Sequence, residues 1–292
     1  MNIAIIGCGE VGYLYAVALI DAGYALQLCA PRPSEKVLKL VSDKNIILHK
    51  EVGTWLEEID IVISCVPGST SLSVAKDAIS FLKQGAVFAD FSSSSSGDKC
   101  EAAKISASKN IFFVDVVIMG GVDISGAKTP LLCAGTGLEK IVSVMKKLDA
   151  PIRVLENAKA GDAASLKLLR TVFMKGLSAL AVECIVAAEV QGVKKLLYEI
   201  LSDFDNTPLP EFLDMMLRNH VTHACRQKHE IADAASQLKS AGLPVQLLPS
   251  IEALFATTCE NIKSNPIESK NITTEDALSW LIDTRVIKRD NS

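Results

Sequence analysis

The sequence predicts a parallel, doubly wound α/β domain over residues 1–155, followed by an all-helical region over residues 156–292. Two observations carry this prediction. Short β-branched runs alternate with amphipathic stretches through the first half, the pattern of strands covered on both faces by crossover helices. Beyond about residue 156 strand signals nearly vanish, and apolar residues recur three or four positions apart. A length of 292 residues, about twice a typical domain, leaves room for both parts.

Taken in order, strands are expected at 2–6, 25–29, 46–48, 61–65, 86–90, 112–117, 131–133 and 152–154. Helices are expected at 11–22, 35–42, 71–81 and 96–108 between the early strands. In the second region Leu166, Leu169, Phe173, Leu177, Leu180 and Cys184 trace one side of a helix, as a buried face would. Further helices are expected at 194–202, 210–216, 220–240, 250–261 and 275–285, the last behind the capping sequence Thr273-Thr274-Glu275-Asp276.

Composition narrows the function classes. Aromatic residues make up 5% of the chain and the net charge is −4, so both the stacking surface and the positive field that nucleic acids require are missing. The most apolar stretch, 168–190, carries Arg170, Lys175, Glu183 and Glu189, which are costly at membrane depth, so it reads as a buried helix of a soluble protein. The opening Met1-Asn2-Ile3-Ala4-Ile5-Ile6-Gly7 has no basic stretch and reads as a first strand, giving the expectation of a cytoplasmic protein. Eight cysteines lie tens of residues apart without a C-x-x-C pair, and most read as small buried hydrophobes in a reducing compartment. His220, His223 and His229 with Cys225 do not form a metal site, because His229 lies well around the helix from the other two.

The most informative motif is Gly7-Cys8-Gly9-Glu10-Val11-Gly12, which fits G-x-G-x-x-G between the first strand and the first helix. Gly7 permits the tight turn, Gly9 lets the backbone approach a pyrophosphate, and Gly12 allows close helix–strand packing, while Cys8, Glu10 and Val11 complete the loop and the helix start. A dinucleotide is the implied cofactor. The second strand does not end in the acidic residue that NAD-preferring sites use for the ribose 2′-hydroxyl. It is followed by Pro31-Arg32-Pro33-Ser34, so Arg32 and Ser34 stand where a 2′-phosphate would lie, and NADP(H) is expected in preference to NAD(H). The alternative is an ordinary solvated arginine in a loop. Val66-Pro67-Gly68 fits either a loop lying along the cofactor or a plain strand-ending turn.

Beyond the glycine motif, four further segments occur in order: Ala89-Asp90-Phe91-Ser92-Ser93, then 113–121 ending in Met119-Gly120-Gly121, then 165–177, and finally His223-Ala224-Cys225-Arg226 with Glu230-Ile231. Together they resemble the β-hydroxyacid dehydrogenase superfamily, which includes 6-phosphogluconate and 3-hydroxyisobutyrate dehydrogenases, and within it the branch with a short helical C-terminal domain. The resemblance implies a Rossmann-type domain, hydride exchange with a small hydroxyacid-like substrate, and a catalytic lysine on the first long helix of the second region, a position matched by Lys167. It also implies that Ser92 and Ser93 sit at the substrate carboxylate, that Gly120 and Gly121 border the pocket, and that helical domains pair into a homodimer. Thr171 and Lys175 share a polar stripe with Lys167 on an otherwise apolar helix and are candidate substrate contacts. Burial, with Arg170 and Lys175 nearby, is expected to lower the Lys167 pKa.

Two departures matter. The superfamily's substrate-binding serine is replaced by Met119, and the asparagine four residues after the lysine is Thr171. Both remove hydrogen-bonding capacity, which keeps open two alternatives: an imine reductase on the same scaffold, and a non-catalytic NADP(H)-binding protein.

Overall fold

The structure, a computed structural model, describes residues 1–267 and 271–285. Positions 286–292, the end of the expected helical region, lie outside the described residues. The chain divides into two compact units, Met1–Val172 and Phe173–Ser292, so the division falls inside a long helix.

The first unit is built on one eight-stranded sheet: β1 (Asn2–Ile6), β2 (Ala25–Cys29), β3 (Ile47–His49), β4 (Ile61–Ser64), β5 (Val87–Asp90), β6 (Phe112–Ile118), β7 (Leu131–Gly135) and β8 (Ile152–Val154). Its spatial order is β3-β2-β1-β4-β5-β6-β7-β8. The helices of this unit are α1 (Glu10–Asp21), α2 (Glu35–Lys44), α3 (Gly68–Phe81), α4 (Ser96–Ser108), α5 (Val122–Ser125) and α6 (Leu138–Lys147), and α7 (Asp162–Val190) starts here and runs on into the second unit.

Successive residues of each inner strand face opposite cores. Ile3 and Ile5 join Leu28, Ile61, Ile63 and Val114 on one side, while Ala4 and Ile6 join Val62, Phe88 and Phe113 on the other. This double burial explains why the strands read as continuous apolar runs rather than alternating ones. The sheet is parallel from β3 through β6, but β7 runs antiparallel to β6, which corrects the expectation of a wholly parallel sheet. The connection between them holds one four-residue helix, α5, and a 3-10 turn, and no long helix carries the chain back across the sheet as a parallel return requires. Helix α6 is a further element that the sequence pattern did not announce.

The second unit contains the rest of α7, then α8 (Lys194–Leu201), α9 (Leu209–Ser240), α10 (Leu248–Ser264) and α11 (Thr274–Arg285). The two helices expected at 210–216 and 220–240 are one continuous helix, α9. Pro210 falls in its first turn, where a missing N–H costs nothing, and no breaker separates Met216 from His220. Helices α9 and α10 are joined by a disulfide between Cys225 and Cys259, which corrects the reading of those two cysteines as reduced hydrophobes. One turn earlier, His220 Nε2 lies 2.8 Å from Thr258 Oγ1 and its ring packs on Phe255. Among the described residues no cluster of histidine, cysteine and carboxylate groups could hold a metal ion.

The face of α7 expected to be buried is exposed in the single chain. Leu166, Leu169, Phe173, Leu177 and Leu180 are all open to solvent, Leu169 by 63%, and Leu168, Val172, Met174 and Val182 join them. Helix α7 is also long and apolar enough, by length and composition, to cross a membrane.

Candidate active site

The dinucleotide loop has the geometry that its glycines demand. Gly7 follows β1 with φ +91°, and a Cβ there would meet the Cys65 carbonyl and Val66 side chain at 2.9 Å. Its N–H donates to the Cys29 carbonyl at 2.9 Å, tying the turn to the end of β2. Gly12, in the first turn of α1, leaves no space: a Cβ would lie 1.9 Å from the Gly7 carbonyl oxygen. Gly9 is the opposite case. As the N-cap of α1 it has nothing within 4 Å of the position a Cβ would take, and no side chain caps the helix. The first amides of α1 therefore face open space with the positive end of the helix behind them, which suits an anionic pyrophosphate. Cys8 is buried beneath the loop, and burial raises its thiol to about 12.

The loop opens onto a cleft of about 940 Å³ wholly within the first unit. The strand order reverses between β1 and β4, and the cleft lies beyond the carboxyl ends of β1, β4, β5 and β6, where doubly wound sheets bind ligands. The segment just past each of these strands supplies part of the lining: Glu10 and Val11 after β1, Cys65 and Val66 after β4, Ser92 to Ser96 after β5, Gly120 and Gly121 after β6. Lys167, Leu168 and Thr171 close it from α7.

Of the residues singled out from sequence, the cleft brings together Glu10, Val11, Val66, Ser92, Ser93, Gly120, Gly121, Lys167 and Thr171. Pro67 is the N-cap of α3 just behind Val66, and Gly68 comes next, packed so closely that a Cβ there would meet the Ser93 backbone at 3.0 Å. Arg32 lies on the exposed loop after β2, with Ser34 at the N-cap of α2, and neither lines the cleft. Lys175 belongs to the second unit, where it lines a separate groove with Ser178, Glu183 and Leu247.

The serine loop is firmly ordered. Asp90, at the buried end of β5, accepts from the Ser92 N–H at 2.9 Å with Oδ1, and from the Ser71 and Ser94 hydroxyls at 3.0 and 3.3 Å with Oδ2. Ser92 and Ser94 are buried, whereas Ser93 and Ser95 are exposed, the latter capping α4 through the Asp98 amide. The Thr171 hydroxyl donates to the Lys167 carbonyl at 2.8 Å, so it satisfies its own helix.

Lys167 stands half-buried on the second turn of α7, and among the described residues its ammonium has neither an ion pair nor a hydrogen bond. Burial, and after it the charge of Lys99, holds its pKa below the usual lysine range. The neighbouring cation is thus Lys99, in place of the expected Arg170 and Lys175. Cys65 is no competitor as a nucleophile, because burial pushes its thiol well above the ordinary range.

Sequence reasoning passed over the most buried ionic group of this unit. Lys99 of α4 is 1% exposed, 2.7 Å from Asp115 Oδ1 and 3.8 Å from Asp90 Oδ2, and it donates to the Asp90 carbonyl at 3.0 Å. The signal was present: an aspartate inside each of two otherwise apolar strands requires a cation nearby.

These features have counterparts among known proteins. Residues 2–155, more than half of the chain, match the family described as the NAD binding domain of 6-phosphogluconate dehydrogenase. The chain belongs to that family, within the β-hydroxyacid dehydrogenase superfamily, whose members are NAD(P)-dependent dehydrogenases and reductases. An uncharacterized 28.5 kDa protein of Methanothermus fervidus is 26% identical, with 87% of this chain and 98% of that protein covered. A conserved protein of unknown function, described as structurally similar to 3-hydroxyacid dehydrogenases, shares the fold at 23% identity and a TM-score of 0.63, over 89% of this chain and 97% of its own. An imine reductase from Myxococcus stipitatus, solved with NAD+, does so at 16% identity and a TM-score of 0.69, over 96% and 99%.

The contrast between two glycines gives a test of the loop. Gly9→Ala meets no protein atom, so the variant should unfold at the wild-type denaturant concentration yet bind cofactor at least about tenfold more weakly, since only the approaching pyrophosphate would touch the added methyl. Gly12→Ala should lower stability as well, because its methyl overlaps the Gly7 carbonyl. Denaturant midpoints and cofactor titration of both variants check this.

Proposed function

We propose that this protein is an NADP(H)-dependent oxidoreductase that moves a hydride between the nicotinamide and the hydroxyl or carbonyl carbon of a small hydroxyacid-like substrate, with Lys167 as general acid and base. The observation that carries the reading is Lys167 itself: an unpaired lysine with a lowered pKa, in a cleft that begins at an open helix N-terminus of dinucleotide-loop geometry. A lysine evolved only for solubility has no reason to stand there.

In this reading Gly7, Cys8, Gly9, Glu10, Val11 and Gly12 cradle the pyrophosphate, with Val66 and Pro67 along the cofactor. The reduced nicotinamide supplies a hydride to the substrate carbon. Lys167 gives a proton from Nζ to the carbonyl oxygen as that oxygen becomes a hydroxyl, and the resulting neutral amine regains its proton from water. In the oxidative direction the neutral amine removes the hydroxyl proton. Ser92 and Ser93 hold the substrate's carboxylate end beside Gly120 and Gly121, and Thr171 narrows the pocket. Arg32 and Ser34 receive the 2′-phosphate, a preference supported by the lack of an acidic residue at the end of β2, where Cys29 and Ala30 stand.

A second reading, reduction of imines, has support of its own. Met119 packs against Val117, Leu132 and Ala134 and is not among the residues lining the cleft, and the Thr171 hydroxyl is turned to its own helix, so neither position offers the hydrogen bond that recognition of a hydroxyacid uses. Imines with a basic nitrogen are protonated in solution and need no enzymic acid.

The exposed apolar side of α7 supports pairing of two chains through their helical regions. Apolar surface of this extent on a helix that also carries Arg170, Lys175, Glu183 and Glu189 fits a protein partner better than lipid. Within the second unit Glu183 accepts from the Gln246 and Leu247 amides at 3.1 and 3.0 Å, which ties α7 to the start of α10.

Four outcomes test these readings. Lys167→Ala should lower kcat for carbonyl reduction by about 10²–10⁴ while sparing preformed cyclic imines. In the wild type, kcat/KM for reduction should fall, and for oxidation rise, as pH increases through the lowered Lys167 pKa, because reduction needs the ammonium and oxidation the amine. Arg32→Ala should weaken NADPH and leave NADH unchanged in a binding titration; equal losses would remove the 2′-phosphate assignment. Leu169→Glu with Leu177→Glu should halve the mass measured by light scattering, and an unaltered mass would place the contact elsewhere.

A further inference from the structure

We propose that Lys99, fully buried beneath the cleft, is a positioning residue for Lys167: with Asp90 and Asp115 it forms a three-charge cluster that fixes the start of α7 and sets the electrostatic field in which Lys167 works. The proposal rests on the acid–base reading of Lys167 and goes beyond it by naming what tunes that lysine.

The cluster connects three elements that surround the site. Asp115, in the middle of β6, pairs with Lys99 through Oδ1 and with Oδ2 accepts the N–H groups of Gly161 and Ala164, at 3.0 and 3.1 Å. These are amides at the first turn of α7, so one carboxylate satisfies the helix start and opposes its dipole. Gly161 seals the junction, since at φ +95° a Cβ would meet the Ser96 carbonyl oxygen at 2.7 Å and Cys100 Sγ at 2.8 Å. Lys167 comes little more than one turn later. On the other side Asp90 holds the serine loop through Ser92 and Ser94 and holds α3 through Ser71, while its backbone carbonyl accepts from Lys99. Lys99 is therefore hydrogen-bonded at the base of both walls of the cleft.

Its charge reaches further than its contacts. The side chains of Lys99, Asp90 and Asp115 are at most 2% exposed, so water screens them little. Cys133 of β7 also faces this cluster, with its thiol raised chiefly by burial. Glu10 of α1, Cys65 just after β4 and Asp123 of α5 line the cleft with Lys167, and Arg170 lies one turn along its own helix. Of the charged groups around it, Lys99 is the one that, after burial, lowers the Lys167 pKa. One cation against two anions leaves the cluster with a formal net charge of −1, close to balance. Removing either sign should therefore displace the Lys167 titration, and in opposite directions.

The test uses that opposition. The Lys167 amine is titrated directly by NMR on reductively ¹³C-methylated protein, its signal assigned from the spectrum of Lys167→Arg, alongside the pH profile of kcat/KM on unmodified protein. Lys99→Met, similar in shape, should move the Lys167 titration to higher pH. Asp90→Asn keeps an acceptor for the Ser92 amide and offers an NH₂ to the serine hydroxyls, so it should fold normally and move the titration to lower pH. Unmoved titrations, or shifts of the same sign, would overturn the proposal, because a merely structural role lowers kcat without separating the two charges. Should Lys99→Met fail to fold, Asp90→Asn decides alone: a downward shift supports the coupling and a fixed value refutes it. Carbonyl reduction that survives Lys167→Ala would sink the acid–base reading, while the direct titration would still report on the coupling.

Discussion

A parallel sheet covered on both faces has no ordinary place for a carboxylate, yet this one contains two, Asp90 and Asp115, on adjacent strands. The desolvation cost of each is offset by Lys99 and by amide donors. In bridging them the lysine also ties α4 to β5 and β6. Asp115 spends its second oxygen on the amides that open α7, and Asp90 spends both of its oxygens on the serine loop. The two walls of the cleft thus share one ionic foundation. Had Asp115 been an apolar residue of similar size, buried Lys99 would lose its nearest carboxylate and the first turn of α7 would lose the acceptor that fixes where it begins.

Much of this was legible in the chain. The dinucleotide loop could be read residue by residue because each glycine answers a different steric demand, and Gly7, Gly9 and Gly12 meet those demands in the structure as crowding, openness and crowding. The strands were legible because β-branched runs between turn residues leave few other options. What escaped had distinct physical causes. The reversal of β7 depends on how little chain links it to β6, and periodicity does not report that. The helix expected to break before His220 did not, since neither Arg218 nor Asn219 is a breaker and Arg218 instead reaches Thr274 at 2.6 Å. The charge cluster escaped because its members are 9 and 16 residues from one another along the chain, on a helix and two strands, and only the fold assembles them.

Helix α7 shows where a periodic pattern stops being informative. Its apolar positions recur as a core face would, but the pattern states only that water is unfavourable there, not what replaces it. Among the described residues Leu166, Leu169, Phe173, Leu177 and Leu180 all stay open to solvent. The same helix begins among polar groups, with Asp115 at its first amides and Lys167 in the cleft, and changes character past Thr171. One element therefore carries the proposed chemistry at one end and an exposed apolar surface along the rest.

The ends of the sheet bear on how copies of the chain can associate. Both edge strands, β3 and β8, are only three residues long. Edges this short offer a neighbouring chain too few free backbone groups to continue the sheet, so intermolecular strand pairing, the usual hazard of an open α/β sheet, has little to start from. Growth of the sheet by addition of strands from other copies is thus disfavoured by the lengths of its own edges.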